Sequence, residues 1–296
     1  MAPTNTVLNN ANLFAGRDES VEGNASVWFK DGLVEYAGPT AELPVAAPQT
    51  TDDACLVVDV AGKFVMPGMT ETHAHLSFAD ASPFAIGDTT VEAATITAVN
   101  NASLMLRSGF TSAVSFGSTH KIDVALRTAI ESGQIEGPHL LAAGQDLGAT
   151  ASNVDSEGAL SQIADGPWAL RKAVREQRKQ GVDIVKIFID GEAINPTNPP
   201  GELAFTDEEV HAIVDEATRR KLRVACHARS ADAVKQAVRA GVELIGHANY
   251  LDNEAVDLLA RANERVFVGP AIAWEINYLK KCESLGISRQ TVIDQF

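Results

Sequence analysis

From residue 64 onward the chain alternates short apolar segments with longer helical ones, and this pattern limits its architecture more than any other feature. Seven segments have the length and apolar content of strands: 64–75, 111–116, 139–143, 183–189, 222–227, 242–247 and 265–272. Helical stretches lie between them, and one begins with a capping box in which Glu209 follows Thr206 by three residues. Such alternation predicts a parallel sheet covered by helices.

Two architectures satisfy this pattern, an open doubly wound sheet and a (β/α)8 TIM-type barrel. No predicted strand is followed by the Gly-x-Gly-x-x-Gly turn of dinucleotide-binding sheets. Polar residues gather instead at the carboxyl ends of predicted strands, where barrel enzymes place their active sites. This favours the α/β barrel, and because only seven strands can be counted, we expect it to be truncated after strand 7.

The first part of the chain has a different pattern. Short runs rich in β-forming residues are separated by turn residues, and Asp31-Gly32 is a hairpin signal. We therefore expect two domains, a small antiparallel β-sandwich module at 1–62 and the incomplete barrel at 63–296.

Charge and cysteine content narrow the function classes. The 24 basic and 39 acidic residues give a net charge of −15, which argues against nucleic acids and anionic membranes as partners. No apolar run approaches the roughly 20 residues of a membrane-spanning helix, and the first residues lack the features of an export signal. Three scattered cysteines fit a reducing compartment. We expect a cytoplasmic homo-oligomer that acts on a small molecule.

The first candidate site residues are His73 and His75, which lie on one face of the first predicted strand, one pleat apart. Two imidazoles so placed can bind one metal ion. His-x-His alone is a weak signal, because two surface histidines would give the same pattern.

Lys186 lies inside the apolar segment 183–189. A buried, unpaired ammonium group is costly, so this lysine should either be neutral or find a partner. A neutral amine can take up carbon dioxide and become a carbamate, an anion that can bridge two cations. The alternative is a lysine whose stem packs while its ammonium group reaches solvent.

His227 and His247 each end a later predicted strand. Either one alone is more often a histidine that is hydrogen-bonded in the loop layer. Together with His73, His75 and Lys186, however, they place four histidines and one lysine at or near strand carboxyl ends, which favours a metal site.

The other polar candidates receive simpler interpretations. His120 lies in a loop, His139 begins a strand at the end away from the site, and His211 lies on a solvated helix face. Asp190, just beyond the lysine strand, could reach the mouth of the pocket, but we expect it to be a solvated loop residue.

The order of His-x-His, a strand lysine and two single strand-end histidines resembles the amidohydrolase superfamily. Val65-Met-Pro-Gly-Met-Thr-Glu-Thr-His-Ala-His resembles its first-strand motif, and His247-Ala-Asn-Tyr-Leu resembles its sixth strand. Gly181-Val-Asp-Ile-Val-Lys-Ile resembles the lysine strand of the branch that contains Xaa-Pro dipeptidases and aryl-carbamate or phenylurea hydrolases. The resemblance covers essentially the whole chain.

The resemblance implies that His73 and His75 bind the more buried of two metal ions and that His227 and His247 bind the more exposed one. Lys186, as a carbamate, would bridge the two divalent ions, for which zinc is expected. A hydroxide held between the ions would attack the C–N bond of an amide, carbamate, urea or Xaa-Pro dipeptide.

The sequence departs from the family pattern in three places. The family's eighth-strand aspartate, which binds the buried metal and moves the proton, has no counterpart, because Asp294 lies in a helical tail. The catalytic acid–base therefore stays unassigned. Thr70-Glu71 replaces a frequent Ile-Asp, and Gly246 stands where a glutamate is frequent.

Two alternatives stay open. One is a mononuclear deaminase or decarboxylase of the same superfamily, although a bridging lysine has no role with one metal ion. The other is a non-catalytic, truncated metal-binding remnant. Substrate specificity is assigned to the loops 77–88, 145–166 and 191–204, the last of which includes the Pro-rich stretch 195–201.

Overall fold

The computed structural model describes residues 5–79, 86, 88–155, 160–192 and 198–295. The chain divides into two compact units, Met1–Gly68 and Met69–Phe296. Within the described residues, every helix is too short or too polar to span a bilayer.

The first unit is a five-stranded mixed sheet with β1 to β4 in the order β3-β2-β1-β4 and β5 also paired with β1. Its strands are β1 (Asn5–Leu13), β2 (Glu22–Lys30), β3 (Leu33–Pro39), β4 (Cys55–Asp59) and β5 (Phe64–Val65). The predicted hairpin is present: β2 and β3 pair antiparallel around Asp31 and Gly32, both of which have positive φ.

The prediction of a purely antiparallel module is wrong, because β4 and β5 pair with β1 in parallel. Parallel neighbours need a long crossover connection, and residues 40–54 provide one between β3 and β4. No turn signal in the sequence distinguishes such a crossover from a loose hairpin.

Parallel strands alternate with helices in the second unit. One three-stranded sheet has the order β6-β7-β8, with β6 (Met69–Ala74), β7 (Phe110–Ser115) and β8 (His139–Leu141). A six-stranded sheet has the order β10-β9-β11-β12-β13-β14. Its strands are β9 (Asp146–Gly148), β10 (Ser161–Ile163), β11 (Ile184–Phe188), β12 (Arg223–Ser230), β13 (Leu244–Tyr250) and β14 (Phe267–Gly269).

These parallel sheets are consistent with a partial (β/α) barrel. Each of the seven predicted segments overlaps an observed strand of these sheets, although Phe64–Val65, at the start of the first segment, forms β5 and pairs with β1 in the first unit. Strands β9 and β10 were not predicted. Each of these two strands has three residues, as β8 and β14 do, but both lie in the segment 145–166, where small and polar residues interrupt every apolar run. Within the described residues 198–295, helices alone follow β14.

Helices follow most strands of the second unit. They are α1 (Val91–Arg107), α2 (Ile122–Glu131), α3 (Pro167–Gln180), α4 (Asp207–Arg219), α5 (Ala231–Ala240), α6 (Asn253–Arg261), α7 (Ile272–Lys281) and α8 (Arg289–Gln295). The predicted capping box of Thr206 and Glu209 begins α4. Gly241 ends α5 in the left-handed conformation. The apolar faces of α3, α4 and α5 pack with β11 and β12 in the largest hydrophobic core, which fixes the strand ends that carry the site.

Candidate metal centre

All five predicted site residues line one cavity of about 560 Å³. His73 lies in β6 and His75 follows it, while Lys186, His227 and His247 lie in β11, β12 and β13. The carboxyl ends of parallel strands meet at one edge of a sheet, and this brings the side chains together. The imidazole centroids of His73 and His247 are 4.8 Å apart, and those of His227 and His247 are 4.5 Å apart.

The backbone of β13 is unusual where it enters the cavity. His247 has φ of 76° and Ala248 has φ of 54°, values that non-glycine residues seldom adopt. Gly246 lies beside the imidazole of His73, and a Cβ at this position would be 2.7 Å from His73 Cε1. The departure from the family pattern at Gly246 therefore has a steric reason: the His73 ring occupies the space of a side chain. Local strain of this kind is typical of functional sites.

Polar contacts orient two of the histidine rings. His75 Nδ1 donates to the carbonyl of Gly117 at 3.1 Å, which leaves Nε2 as the acceptor nitrogen. His227 Nδ1 lies 3.4 Å from Glu192 Oε1. Oriented rings of this type are usual for metal-binding histidines. Among the described residues, His73 Nδ1, His227 Nε2 and His247 Nδ1 have no hydrogen-bond partner.

Burial keeps these imidazoles neutral, which is the form that binds metals. Desolvation lowers the pKa of His75 to about 3. Desolvation, followed by the neighbouring His247, lowers the pKa of His73 well below its usual value. The pKa values of His227 and His247 are lowered in the same direction, again mainly by burial.

Lys186 is fully enclosed, with only 1% of its surface exposed, so its ammonium group does not reach solvent. Its Nζ donates to the carbonyl of Phe116 at 3.2 Å and lies 3.8 Å from Asp146 Oδ2. Burial lowers the pKa of this lysine, while Asp146 acts in the opposite direction. The snorkelling alternative is therefore wrong for Lys186.

Asp146 is a cavity residue that the sequence analysis missed. It is fully buried, and neither carboxylate oxygen has a hydrogen-bond partner among the described residues. Burial raises the pKa of its carboxyl group to about 7. Space for it depends on Gly117, because a Cβ there would be 2.1 Å from Asp146 Oδ1. The short strand β9 gave no sequence signal that could have placed this residue.

Glu192 is the second missed residue. Its carboxylate, His227 and His247 bring ligand-type atoms within 4.8 Å of one another, a set that can hold one metal ion. Arg229 donates Nε and Nη2 to the two oxygens of Glu192 at 2.8 and 3.0 Å. The sequence did contain a signal for Glu192. It follows the predicted lysine strand, so its carboxylate could have been expected at the carboxyl end of the sheet, where the other site residues lie.

The expectation that Asp190 is solvated is wrong. Its side chain is fully buried. It accepts hydrogen bonds from the backbone N–H groups of Arg229, Ser230 and Gly201 at 2.8, 2.9 and 3.2 Å. Asp190, just after β11, thus ties this segment to the end of β12 and to the backbone at Gly201.

The residues left outside the predicted site lie apart from the cavity. His211 is exposed on α4, His139 is exposed at the start of β8, and His120 lies in a turn after β7. Asp294 lies in α8, where its backbone carbonyl accepts the hydroxyl of Tyr250.

The predicted specificity loops are only partly described. Phe78, Asn153 and Leu160, from two of these loops, line the cavity. Residues 193–197 of the Pro-rich loop lie outside the described residues. Helix α7 also lines the cavity, through Trp274 and Tyr278, and the sequence analysis did not assign it this role.

Comparison with known proteins agrees with this geometry. Residues 64–282 match the Amidohydrolase family. The chain therefore belongs to the amidohydrolase family, and the expectation drawn from its sequence is confirmed.

One curated relative is similar to most of this chain. The ochratoxinase of Aspergillus niger is 27% identical over 281 residues, which cover 86% of this chain and 56% of that protein. The chain thus spans little more than half the length of this curated relative.

Solved structures are similar over most of the chain. A prolidase complexed with N-methylphosphonate-L-proline is 28% identical, with a TM-score of 0.86 over 98% of this chain and 72% of that one. Phenylurea hydrolase B is 19% identical, with a TM-score of 0.73 over 90% of this chain and 64% of that one. The second similarity shows the fold alone.

Proposed function

We propose that this protein is a metal-dependent hydrolase that cleaves the C–N bond of a small amide, carbamate, urea or Xaa-Pro dipeptide. The observation that carries the proposal is the convergence of four histidines and a buried lysine in one cavity of an amidohydrolase-family chain. The relatives named for ochratoxin and for prolidase activity support a C–N bond as the target.

The donor atoms fit a metal centre. Burying a polar atom without a partner costs free energy, and a bound cation would supply the missing partner. Three unpartnered histidine nitrogens and the unpartnered carboxylate of Asp146 line the same cavity. Neutral imidazole and carboxylate groups are the ligands that zinc prefers in proteins, together with thiolates.

We assign His73 and His75 to one ion, and His227, His247 and Glu192 to a second. The amine of Lys186 can add to the carbon of carbon dioxide and release a proton, and the resulting carbamate would be available as a ligand to both ions. When bound, the ions would lower the pKa of a water molecule and polarise the scissile carbonyl group.

Other residues of the chain prepare the site. Arg229 holds Glu192 in a bidentate ion pair, which fixes its carboxylate beside His227. Phe188 stacks on the His227 ring at 3.9 Å between centroids, and Phe78 stacks on His75 at 4.3 Å. These contacts hold the rings in place and exclude water from them, which strengthens electrostatic interactions in the site.

Hydrolysis assays test the proposal. The protein, loaded with zinc in the presence of bicarbonate, should cleave at least one substrate in a panel of an aryl carbamate, a phenylurea, glycyl-L-proline and N-benzoyl-L-phenylalanine. Lys186→Ala should lower kcat/KM by more than about 100-fold, because loss of a metal ligand exceeds the loss of an outer contact.

His211→Ala is the matched control, because His211 lies on the exposed face of α4. It should leave both metal content and kcat/KM unchanged. The proposal fails if the whole panel is left intact, or if Lys186→Ala is as active as the wild type.

A mononuclear enzyme is the second candidate, and the cluster of Glu192, His227 and His247 favours it, since these three residues can hold one ion without Lys186. In that case Lys186→Ala would keep one bound ion and its activity. The panel would then be extended to amine-bearing heterocycles, whose deamination releases ammonia.

A further inference from the structure

Helix α7 forms one wall of the cavity through residues spaced by about one helical turn. Trp274, Tyr278 and Lys281 line the cavity, as does Leu285 beyond the end of the helix. The spacing of four and then three residues places the first three on one helix face. This wall lies on an element that supplies none of the proposed metal ligands.

The hydroxyl group of Tyr278 is the unusual feature of this wall. The residue is only 5% exposed, and its Oη has no hydrogen-bond partner among the described residues. Burial raises the pKa of this phenol to about 12, so the hydroxyl keeps its proton and is a donor. Buried tyrosine hydroxyls usually find a partner.

The position of this hydroxyl is fixed by the fold. The Tyr278 ring stacks on Trp274, with 4.9 Å between centroids and an interplanar angle of 17°. One turn earlier in α7, Glu275 Oε1 accepts a hydrogen bond from Asn249 Nδ2 at 2.7 Å, and Asn249 Oδ1 accepts one from Arg229 at 2.7 Å. The helix is thereby tied to the ends of β12 and β13, which carry His227 and His247.

The surroundings define what the hydroxyl can bind. Phe78, Val154, Leu160 and Leu285 give the cavity large apolar surfaces. In a cavity with these apolar surfaces, a neutral donor such as the Tyr278 hydroxyl suits a mostly apolar ligand that carries an acceptor oxygen.

We propose that Tyr278 and Trp274 form a substrate subsite, in which the Tyr278 hydroxyl donates a hydrogen bond to an acceptor oxygen of an aromatic or apolar substrate. The inference rests on the proposed function in that it concerns the same cavity. It names a substrate class, aromatic or apolar compounds that carry an acceptor oxygen.

A pair of inert probes tests this subsite without hydrolysis. Methyl phenyl sulfoxide and thioanisole share one skeleton and differ by one acceptor oxygen, and neither has a C–N bond to cleave. In ligand-observed NMR titrations, the wild-type protein should bind the sulfoxide about three- to tenfold more tightly than thioanisole, the range expected for one hydrogen bond. Tyr278→Phe should remove this preference by weakening the binding of the sulfoxide alone.

A second readout is the thermal unfolding midpoint without ligand. Tyr278→Phe removes a buried, unpartnered hydroxyl group and keeps the ring on Trp274, so its midpoint should equal or exceed that of the wild type. Tyr36→Phe is the matched control, because the Tyr36 hydroxyl donates to the carbonyl of Pro39 at 2.6 Å in the first unit. This control should lower the midpoint slightly and keep the preference for the sulfoxide.

Three results would overturn the proposal. They are a preference for the sulfoxide that persists in Tyr278→Phe, a wild-type protein that binds neither probe, and a Tyr278→Phe protein that is less stable than Tyr36→Phe. Because the probes are not hydrolysed, failure to cleave the amide panel leaves this test intact, and the two failures are distinguishable.

Discussion

The two units of the chain treat their buried polar groups differently. In the first unit, Trp28 Nε1 donates to Asn5 Oδ1 at 2.6 Å, and Ser26 Oγ donates to Asn9 Oδ1 at 2.8 Å. Within the residues described from 5 to 68, no buried side-chain nitrogen or oxygen lacks a hydrogen-bond partner, whereas eleven such atoms lack one among the described residues of the second unit.

Six of those eleven atoms belong to residues that line the cavity: His73, Asp146, His227, His247 and Tyr278. Unpartnered buried groups are costly and therefore rare in a region whose only task is to be stable. This difference indicates that the first unit has a stabilising role. The second unit keeps buried polar atoms without hydrogen-bond partners at the place where a ligand would bind. The other five atoms lie outside the cavity lining, and the structure gives no functional account of them.

The largest expected effect is that of pH on the stability of the metal-free protein. All seven histidines lie beyond residue 68. Burial lowers the pKa of His227 and His247 in the folded protein, so the unfolded chain binds more protons below its own pKa of about 6.5. Stability is therefore lost as pH falls from 7 to 5. For His75, whose pKa is lowered to about 3, the loss over this range is about 2 kcal/mol.

Asp146 acts in the opposite direction, because its raised pKa of about 7 makes the folded form bind the extra proton over this range. Urea unfolding at pH 7 and pH 5 measures the net change. His227→Asn should reduce the loss, and His211→Asn should not. An unfolding free energy that is equal at the two pH values would contradict this account.

Addition of zinc has the next largest expected effect. At a free zinc concentration of one hundred times Kd, a single site stabilises the folded state by about 2.7 kcal/mol. Hydrogen exchange should slow in β6, β11, β12 and β13 and stay unchanged in β1 to β5. Equal slowing of hydrogen exchange in both units, or slowing in the first unit alone, would contradict the expected difference between the two units.

The smallest effect is expected in the first unit. Ser26→Ala removes a buried hydroxyl that contacts Asn9 and, at 2.9 Å, Thr40 Oγ1. The free energy of unfolding should fall by about 1 kcal/mol, because these partners lose a hydrogen bond. Ser20→Ala, at an exposed site, is the control, and urea unfolding distinguishes the two. A stabilised Ser26→Ala protein would mean that the first unit also holds unsatisfied groups.

Much of the fold could be predicted because it depends on local patterns. Apolar periodicity located the seven barrel-type strands, and the cap residues Thr206 and Gly241 marked helix ends that the structure confirms. The strands β9 and β10 are as short as β8 and β14, but they lie in the segment 145–166, which has no apolar run that could mark them. The parallel pairing of β4 with β1 depends on a crossover that leaves no local signal.

The candidate site was predictable only in part, for a related reason. His73, Lys186 and His247 could be found because each lies in or at the end of a strand with a clear pattern. Asp146 and Tyr278 reach the cavity through contacts distant in sequence, so no spacing rule identifies them. Their placement depends on how β9 and α7 lie beside the sheet.

The most direct test of the central claim is a count of metal ions by native mass spectrometry of the protein purified with zinc and bicarbonate. The account predicts two zinc ions per chain, with a mass increment for the carbamate on Lys186, and fewer than two ions in Lys186→Ala. A wild-type chain that binds no zinc, or a Lys186→Ala chain that keeps two ions, would contradict it.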